Sequence, residues 1–327
     1  MLALNRIANV TCMRARTLHT HASRCLCSLS STPLGATFHR TQAQATDSLC
    51  KTPGRGRKGL TSISTSSAVA SAQSVCGKES AMSKGTVLIC LSGADHIRTQ
   101  DGKPKETGFF LKELGAPLIK VLEAGYDVQF ANPTGEAPHM DPLSDNKIWF
   151  MPSFSEKEAE KELLDKMGVE KNFKNPTKFS DISDNQLQSY AGVLIPGGHA
   201  PMTDLWSDKD MGRILLHFHK EQKPTATMCH GPIALLSTKV ADQDSPWAYD
   251  GYEMTCYSNT EEKTNELLFG SKLQFKAEDT LRENGAVMKE AFPMMPKVTV
   301  DRELITAQQP SSAVAFGEAF VKALTKG

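Results

Sequence analysis

From residue 84 onward, short apolar runs alternate with amphipathic stretches, and glycine, proline or asparagine marks most of the junctions. Residues 86–91 (TVLICL) form a continuous apolar run ending at Ser92 and Gly93, the pattern of a strand buried on both faces. Residues 108–124 read as helical, interrupted by Gly115 and Pro117, and residues 126–131 (YDVQFA) as a second strand closed by Asn132-Pro133-Thr134-Gly135. The alternation then stops. Residues 136–182 are polar and irregular apart from an amphipathic segment over 156–167, which predicts a cap-like insertion over the sheet edge or the site. It resumes with a strand at 190–195 (YAGVLI), the turn Pro196-Gly197-Gly198, a helix over about 209–220 and an apolar strand at 225–228. A strand at 252–257, a helix from Glu261, strands at 297–300 and 303–307, and a helix at 313–324 capped by Ser311 or Ser312 follow. Strands separated by helices predict an α/β fold with a doubly wound, mostly parallel sheet covered on both faces. Ligands of such sheets gather at the C-terminal strand ends, where Gly93, Gly198 and Cys229 fall.

Composition sets residues 1–83 apart from the domain predicted over 84–327. Ten Lys or Arg residues but one acid, Asp47, occur between Met1 and Lys78, among many Ser, Thr and Ala. This basic, acid-poor leader resembles a mitochondrial transit segment; the alternatives are a disordered extension, or upstream sequence with Met82 as the start and a cytoplasmic protein. The formal net charge is zero, so the remainder is mildly acidic, and neither a nucleic-acid nor a membrane surface is expected. No apolar run is long enough to span a bilayer. Five of the eight cysteines lie in the leader, leaving Cys90, Cys229 and Cys256, an odd set that argues for reduced thiols. Cys90 and Cys256 fall on strands and read as small buried apolar residues.

Cys229 is placed differently. In Thr225-Ala226-Thr227-Met228-Cys229-His230-Gly231-Pro232, an apolar strand runs into cysteine, histidine, glycine and then a helix. A strand turning at once into a helix exposes its corner side chain, and the positive end of the helix favours a thiolate, so Cys229 reads as a low-pKa, exposed nucleophile.

Ile195-Pro196-Gly197-Gly198-His199, Met228-Cys229-His230-Gly231-Pro232 and Thr107-Gly108-Phe109-Phe110-Leu111-Lys112-Glu113-Leu114 occur in the relative arrangement of the ThiJ/PfpI superfamily. Over roughly residues 84–324 the chain resembles its branch of stress-induced chaperones with glutathione-independent glyoxalase (D-lactate dehydratase) activity. The resemblance implies a flavodoxin-like sandwich, no cofactor, and conversion of methylglyoxal to D-lactate. It also implies a Cys-His-acid set built on Cys229 and His230. Glu262 is chosen as the third member, with Glu261 as close competitor; some relatives carry Asp where Asn259 stands.

The chemistry has its own logic. The aldehyde carbon of an α-oxoaldehyde is open to attack by a thiolate, giving a hemithioacetal. Moving a proton between its two carbons needs a base that can return the proton. Glu113 sits among Phe109, Phe110, Leu111, Leu114 and Leu118, surroundings that raise a carboxyl pKa. By residue type alone it is an ordinary helix-surface glutamate; the resemblance selects it as the shuttle. His230 either aims away from Cys229 or bends back to it. Backbone N–H groups of Gly198 and His230 are suited to developing oxyanion charge, and His199 either contacts substrate or caps its loop.

No metal is expected. His217 and His219 stand two apart on a helix and face apart, while His96, His139 and His199 are scattered in loops. A glutamine amidotransferase would need a His-x-Glu pair near the chain end, and no histidine follows His230. A protein deglycase or cysteine peptidase would use the same cysteine. A holdase would present Phe150, Met151, Phe154 and Phe173 of the insertion to unfolded clients, although core packing explains most such aromatics. The expected partner is a small dicarbonyl; whether the chain forms a homodimer stays open.

Overall fold

The computed structural model describes residues 83–326, so the leader lies outside the described residues. Among the described residues eleven strands are formed: β1 Thr86–Cys90, β2 His96–Arg98, β3 Pro104–Glu106, β4 Asp127–Asn132, β5 Thr177–Lys178, β6 Tyr190–Ile195, β7 Thr225–Met228, β8 Glu253–Met254, β9 Val287–Met288, β10 Val298–Asp301 and β11 Leu304–Ala307. The helices are α1 Leu111–Glu123, α2 Ser155–Glu170, α3 Asp184–Ser189, α4 Lys209–Lys220, α5 Ser237–Ala241, α6 Asn259–Phe269, α7 Ala277–Glu283 and α8 Ala313–Leu324. Seven strands make one sheet in the order β10-β11-β7-β6-β1-β4-β5. All its pairings are parallel except β10 with β11. This is the mostly parallel α/β sheet that the alternation predicts and the flavodoxin-like fold that the resemblance implies.

The two-residue period of β1 explains why its apolar run is unbroken. Val87 and Ile89 point into the layer formed with α1 and α8, whereas Leu88 and Cys90 point into the opposite layer with α4. All four side chains are wholly buried. A large aliphatic residue so placed contributes about 1.5–3 kcal/mol. On the β1/α1 side, Phe316 and Phe320 of α8 close the layer.

Four expectations change in detail. The helix expected from 108 begins at Leu111, because Gly108 and Phe109 run extended alongside 139–141: Phe109 N–H donates to the His139 carbonyl at 2.8 Å. The strand expected over 252–257 shortens to β8, which pairs with β9 in a separate ribbon. The hairpin strand β10 takes the sheet edge instead, and residues beyond Met254 bend inward so that Tyr257 N–H donates to the Cys229 carbonyl at 2.8 Å. Ser312 stands at the start of α8 in a helical conformation without a side-chain cap. Finally, the segment 136–182 is more regular than its polarity suggests: β5 extends the sheet edge and α2 packs on α1. Phe150 and Phe173 are core residues there, while Met151 and Phe154 are exposed.

The Gly197-Gly198 turn requires its second glycine. Gly198 has φ +94°, and a Cβ there would lie 2.0 Å from the Gly108 carbonyl oxygen. Gly198→Ala is therefore expected to lower unfolding free energy by about 1–3 kcal/mol or more, measured by urea denaturation. A variant as stable as the parent would show that the turn relaxes freely.

Candidate active site

Cys229 occupies the left-handed region, with φ 58°. Its backbone is held there from both sides: its N–H donates to the Ala307 carbonyl at 2.9 Å, and its carbonyl accepts from Tyr257 N–H. The chain then enters a 3-10 turn, Gly231–Leu236, before α5. A β-strand ending in a strained residue and a tight helical turn is the geometry of a nucleophile elbow.

The expected exposure is not found. Cys229 is only 4% exposed, and its thiol pKa is raised well above the ordinary value, first by burial and then by the neighbouring Glu113 carboxyl. The Gly198 amide, which faces the sulfur, opposes this. An elbow projects its side chain from the sheet, but here α1 and the Pro196-Gly197-Gly198 turn cover it. Cys90 and Cys256 are buried as expected.

Glu113, in the first turn of α1, is wholly buried rather than on the helix surface. Its pKa is pushed up to about 8, mainly by burial, with Asp141 adding repulsion. The Cys229 thiol and the amides of Gly197 and Gly198 face the carboxyl and pull its pKa partly back, yet neither oxygen completes a well-aligned hydrogen bond. Such a carboxyl is cheaper to bury protonated. Gly197 makes the approach feasible, since a Cβ there would lie 2.3 Å from Glu113 Oε2 and 2.4 Å from Cys229 Cβ.

His230 bends back to the sulfur: Nδ1 lies 3.2 Å from Cys229 Sγ. Its Nε2 lies 2.6 Å from Glu262 Oε2, while Glu262 Oε1 is 3.2 Å from His199 Nε2. Glu262 thus bridges two histidines whose rings stack at 4.1 Å between centroids. Burial raises the Glu262 pKa, but the two histidines outweigh it and hold the carboxyl well below the usual range. Burial lowers His199, yet Glu262 raises it overall; His230 is lowered by burial and by His199.

The competitor Glu261 points elsewhere. Its Oε2 accepts from the Ser258 hydroxyl at 2.8 Å and the Gln308 side-chain amide at 2.9 Å, and its Oε1 accepts from Met294 N–H at 3.1 Å. With Ser258 it forms the capping box of α6 and so fixes the helix that carries Glu262. Asn259 faces α7, its N–H donating to Glu278 and its side-chain amide to Asp279.

Two contributors had no sequence signal of their own. Tyr257 stacks on His230 with centroids 4.8 Å apart. Asp141 is buried, accepts from the Thr107 hydroxyl and Leu143 N–H at 2.9 Å, and bears electrostatically on Glu113, His199 and His230. A cavity of about 380 Å³ is lined by the β2–β3 hairpin, residues 141–143 and His199; Cys229 is not among its lining residues. The histidines that the sequence scatters are partly gathered: ligand atoms of His199, His230 and Glu262 all lie within 4.8 Å of one another. His217 and His219 form no such group, His219 pairing with Glu303. Among the described residues no helix is long and apolar enough to cross a membrane.

The chain is similar to the protein/nucleic acid deglycase HchA of Staphylococcus aureus strain Newman, with 27% identity over 241 residues, 72% of this chain and 78% of the relative. Among solved structures, Rapid Encystment Protein 24 kDa of Francisella tularensis superposes with a TM-score of 0.61 at 25% identity, covering 73% of this chain and 99% of that one. Glyoxalase III of Candida albicans shares the fold with a TM-score of 0.59 at 22% identity, covering 73% and 97%. The model of the DJ-1/PfpI family matches residues 112–323, from the first turn of α1 to the last turn of α8, and so takes in every element that carries a site residue: the chain belongs to the DJ-1/PfpI family.

Proposed function

We propose that the protein is a glutathione-independent glyoxalase that converts methylglyoxal to D-lactate. The observation that carries this reading is a buried carboxyl, Glu113, with a pKa near 8, set against the elbow sulfur of Cys229. A thiol hydrolase needs only the cysteine and a base; the second proton-transfer group is what an internal redox isomerisation adds.

His230 takes the Cys229 proton through Nδ1 as the sulfur attacks the aldehyde carbon, and passes it to the oxygen as the hemithioacetal forms. Ionised Glu113 then removes the hydrogen from that carbon; the electrons make a carbon–carbon double bond and place negative charge on the former ketone oxygen. The Gly198 N–H then serves as the donor that stabilises it. Glu113 returns the proton to the second carbon, the first hydroxyl proton moves to the second oxygen, and a lactoyl thioester remains. Water cleaves it to lactate and free thiol, so no external oxidant or cofactor is consumed.

The similarity to HchA supports a second reading in which the same residues remove glycation adducts from proteins or nucleic acids. Steady-state assay of the full-length protein with methylglyoxal, without glutathione, tests the primary reading: enzymatic D-lactate is expected. Release of unmodified amino acid from a preformed adduct, without turnover of free methylglyoxal, would favour the second.

Glu262→Gln probes the histidine relay. The carboxylate fixes the tautomer with Nδ1 free to accept, and a neutral amide does not; kcat is expected to fall by about a hundredfold or more. Unchanged kcat would remove Glu262 from the relay.

A further inference from the structure

We propose that His199, Glu262 and His230 also form a binding site for a divalent transition metal ion, with Zn2+ as the reference ligand, and that occupancy silences the cysteine. The three residues supply two imidazole nitrogens and one carboxylate, a donor set suited to Zn2+. All three are buried and converge: Nε2 of His199 and of His230 lie 3.2 Å and 2.6 Å from the two Glu262 oxygens, and all three ligand atoms lie within 4.8 Å. Donors about 2.0–2.1 Å from a tetrahedral ion stand roughly 3.4 Å apart. Both His–Glu separations fall somewhat below that value, so the ligand atoms need only draw slightly apart to admit the ion. His199 is among the residues that line the 380 Å³ cavity, so an ion can approach the site from there and find room for a fourth, water ligand.

The consequence for the sulfur follows from the histidine tautomer. His230 Nδ1 faces Cys229 Sγ at 3.2 Å, on the opposite side of the ring from Nε2. With a metal on Nε2, a neutral imidazole carries its proton on Nδ1 and has no lone pair left for the thiol proton. The nucleophile thus lies in the outer shell of the ion rather than among its ligands. Binding itself does not depend on which substrate the protein turns over; only the silencing rests on the reading above.

Co2+ titration of the full-length chain tests this. Thiolate ligation, by Cys229 or the five leader cysteines, gives sulfur-to-metal charge-transfer absorption, whereas a His-Glu-His site gives visible d–d bands without it. One Zn2+-displaceable equivalent of the second kind is expected, retained in Cys229→Ser and weakened at least about tenfold in His199→Gln and in Glu262→Gln. Near-UV circular dichroism checks that each variant is folded, and either glutamine variant alone decides if the other is not. Retention of the full d–d signal in a folded glutamine variant, or its loss in Cys229→Ser, overturns the site. If turnover is present but saturating Zn2+ leaves it unchanged, the silencing fails while the binding result stands on its own.

Discussion

Replacing Cys229 by alanine is expected to abolish lactate formation, by a factor on the order of 10³ or more, with the fold retained. The sulfur forms the bond on which every later step depends, and His230, held between that sulfur and Glu262, serves as base and does not replace it as nucleophile. The substitution removes one buried atom beside Glu113 while the backbone bonds to Ala307 and Tyr257 remain. Stability should therefore change by about 1 kcal/mol, visible as a shift of a few degrees in Tm. Lactate production at more than a small residue of the parent rate, at equal folded concentration, would mean that Cys229 is not the covalent trap. The raised pKa of the thiol adds a condition. Attack must be coupled to proton removal by His230, so the free protein should react slowly with thiol-alkylating reagents despite carrying a catalytic cysteine.

What the sequence made legible follows from the range of the signals. The central strands β1, β6 and β7 are apolar runs bounded by turn residues, and both the run and its ends are local; the helix at 209–220 carries its own cap, Asp208. The strand expected at 252–257 had the right residues but lost its place to β10, a competition between segments over forty residues apart. The same limit applies to the site. Cys229 and His230 announce themselves by adjacency, and Glu113 was nominated by its motif, but its burial depends on Gly197 admitting it against Cys229. The choice of Glu262 over Glu261 turns on which helix face looks back at the elbow; the two differ by one position, and only Glu262 reaches His199 and His230. The sequence does not reveal the burial of Cys229, because an elbow determines direction and not what covers it. Asp141 acts through the field of a folded loop, which no pattern in residues 136–182 encodes.

Glu113→Gln separates an isomerase from a generic thiol enzyme. The amide keeps the size and can still face Cys229, but it cannot carry the proton between the two carbons. Hemithioacetal formation should persist and its rearrangement should not. Mass spectrometry after methylglyoxal exposure is then expected to show an adduct on Cys229, with lactate production lowered by roughly a hundredfold or more. The pH profile gives a second, independent reading. Ionised Glu113 is the base, so with a pKa near 8 the parent kcat/KM should rise with pH and level off above that value, and this limb should be absent in the variant. Stability moves the other way. The folded carboxyl holds its proton until about pH 8 while the unfolded one releases it near 4.5, so the folded parent loses stability as pH rises through that window. Glu113→Gln has no proton to lose, and its stability relative to the parent should grow between those two values in urea titrations. A variant that turns over methylglyoxal at the parent rate would refute the shuttle. If activity is lost but the stability difference stays flat with pH, Glu113 contributes to turnover without being the raised-pKa base, and the proton must travel by another group.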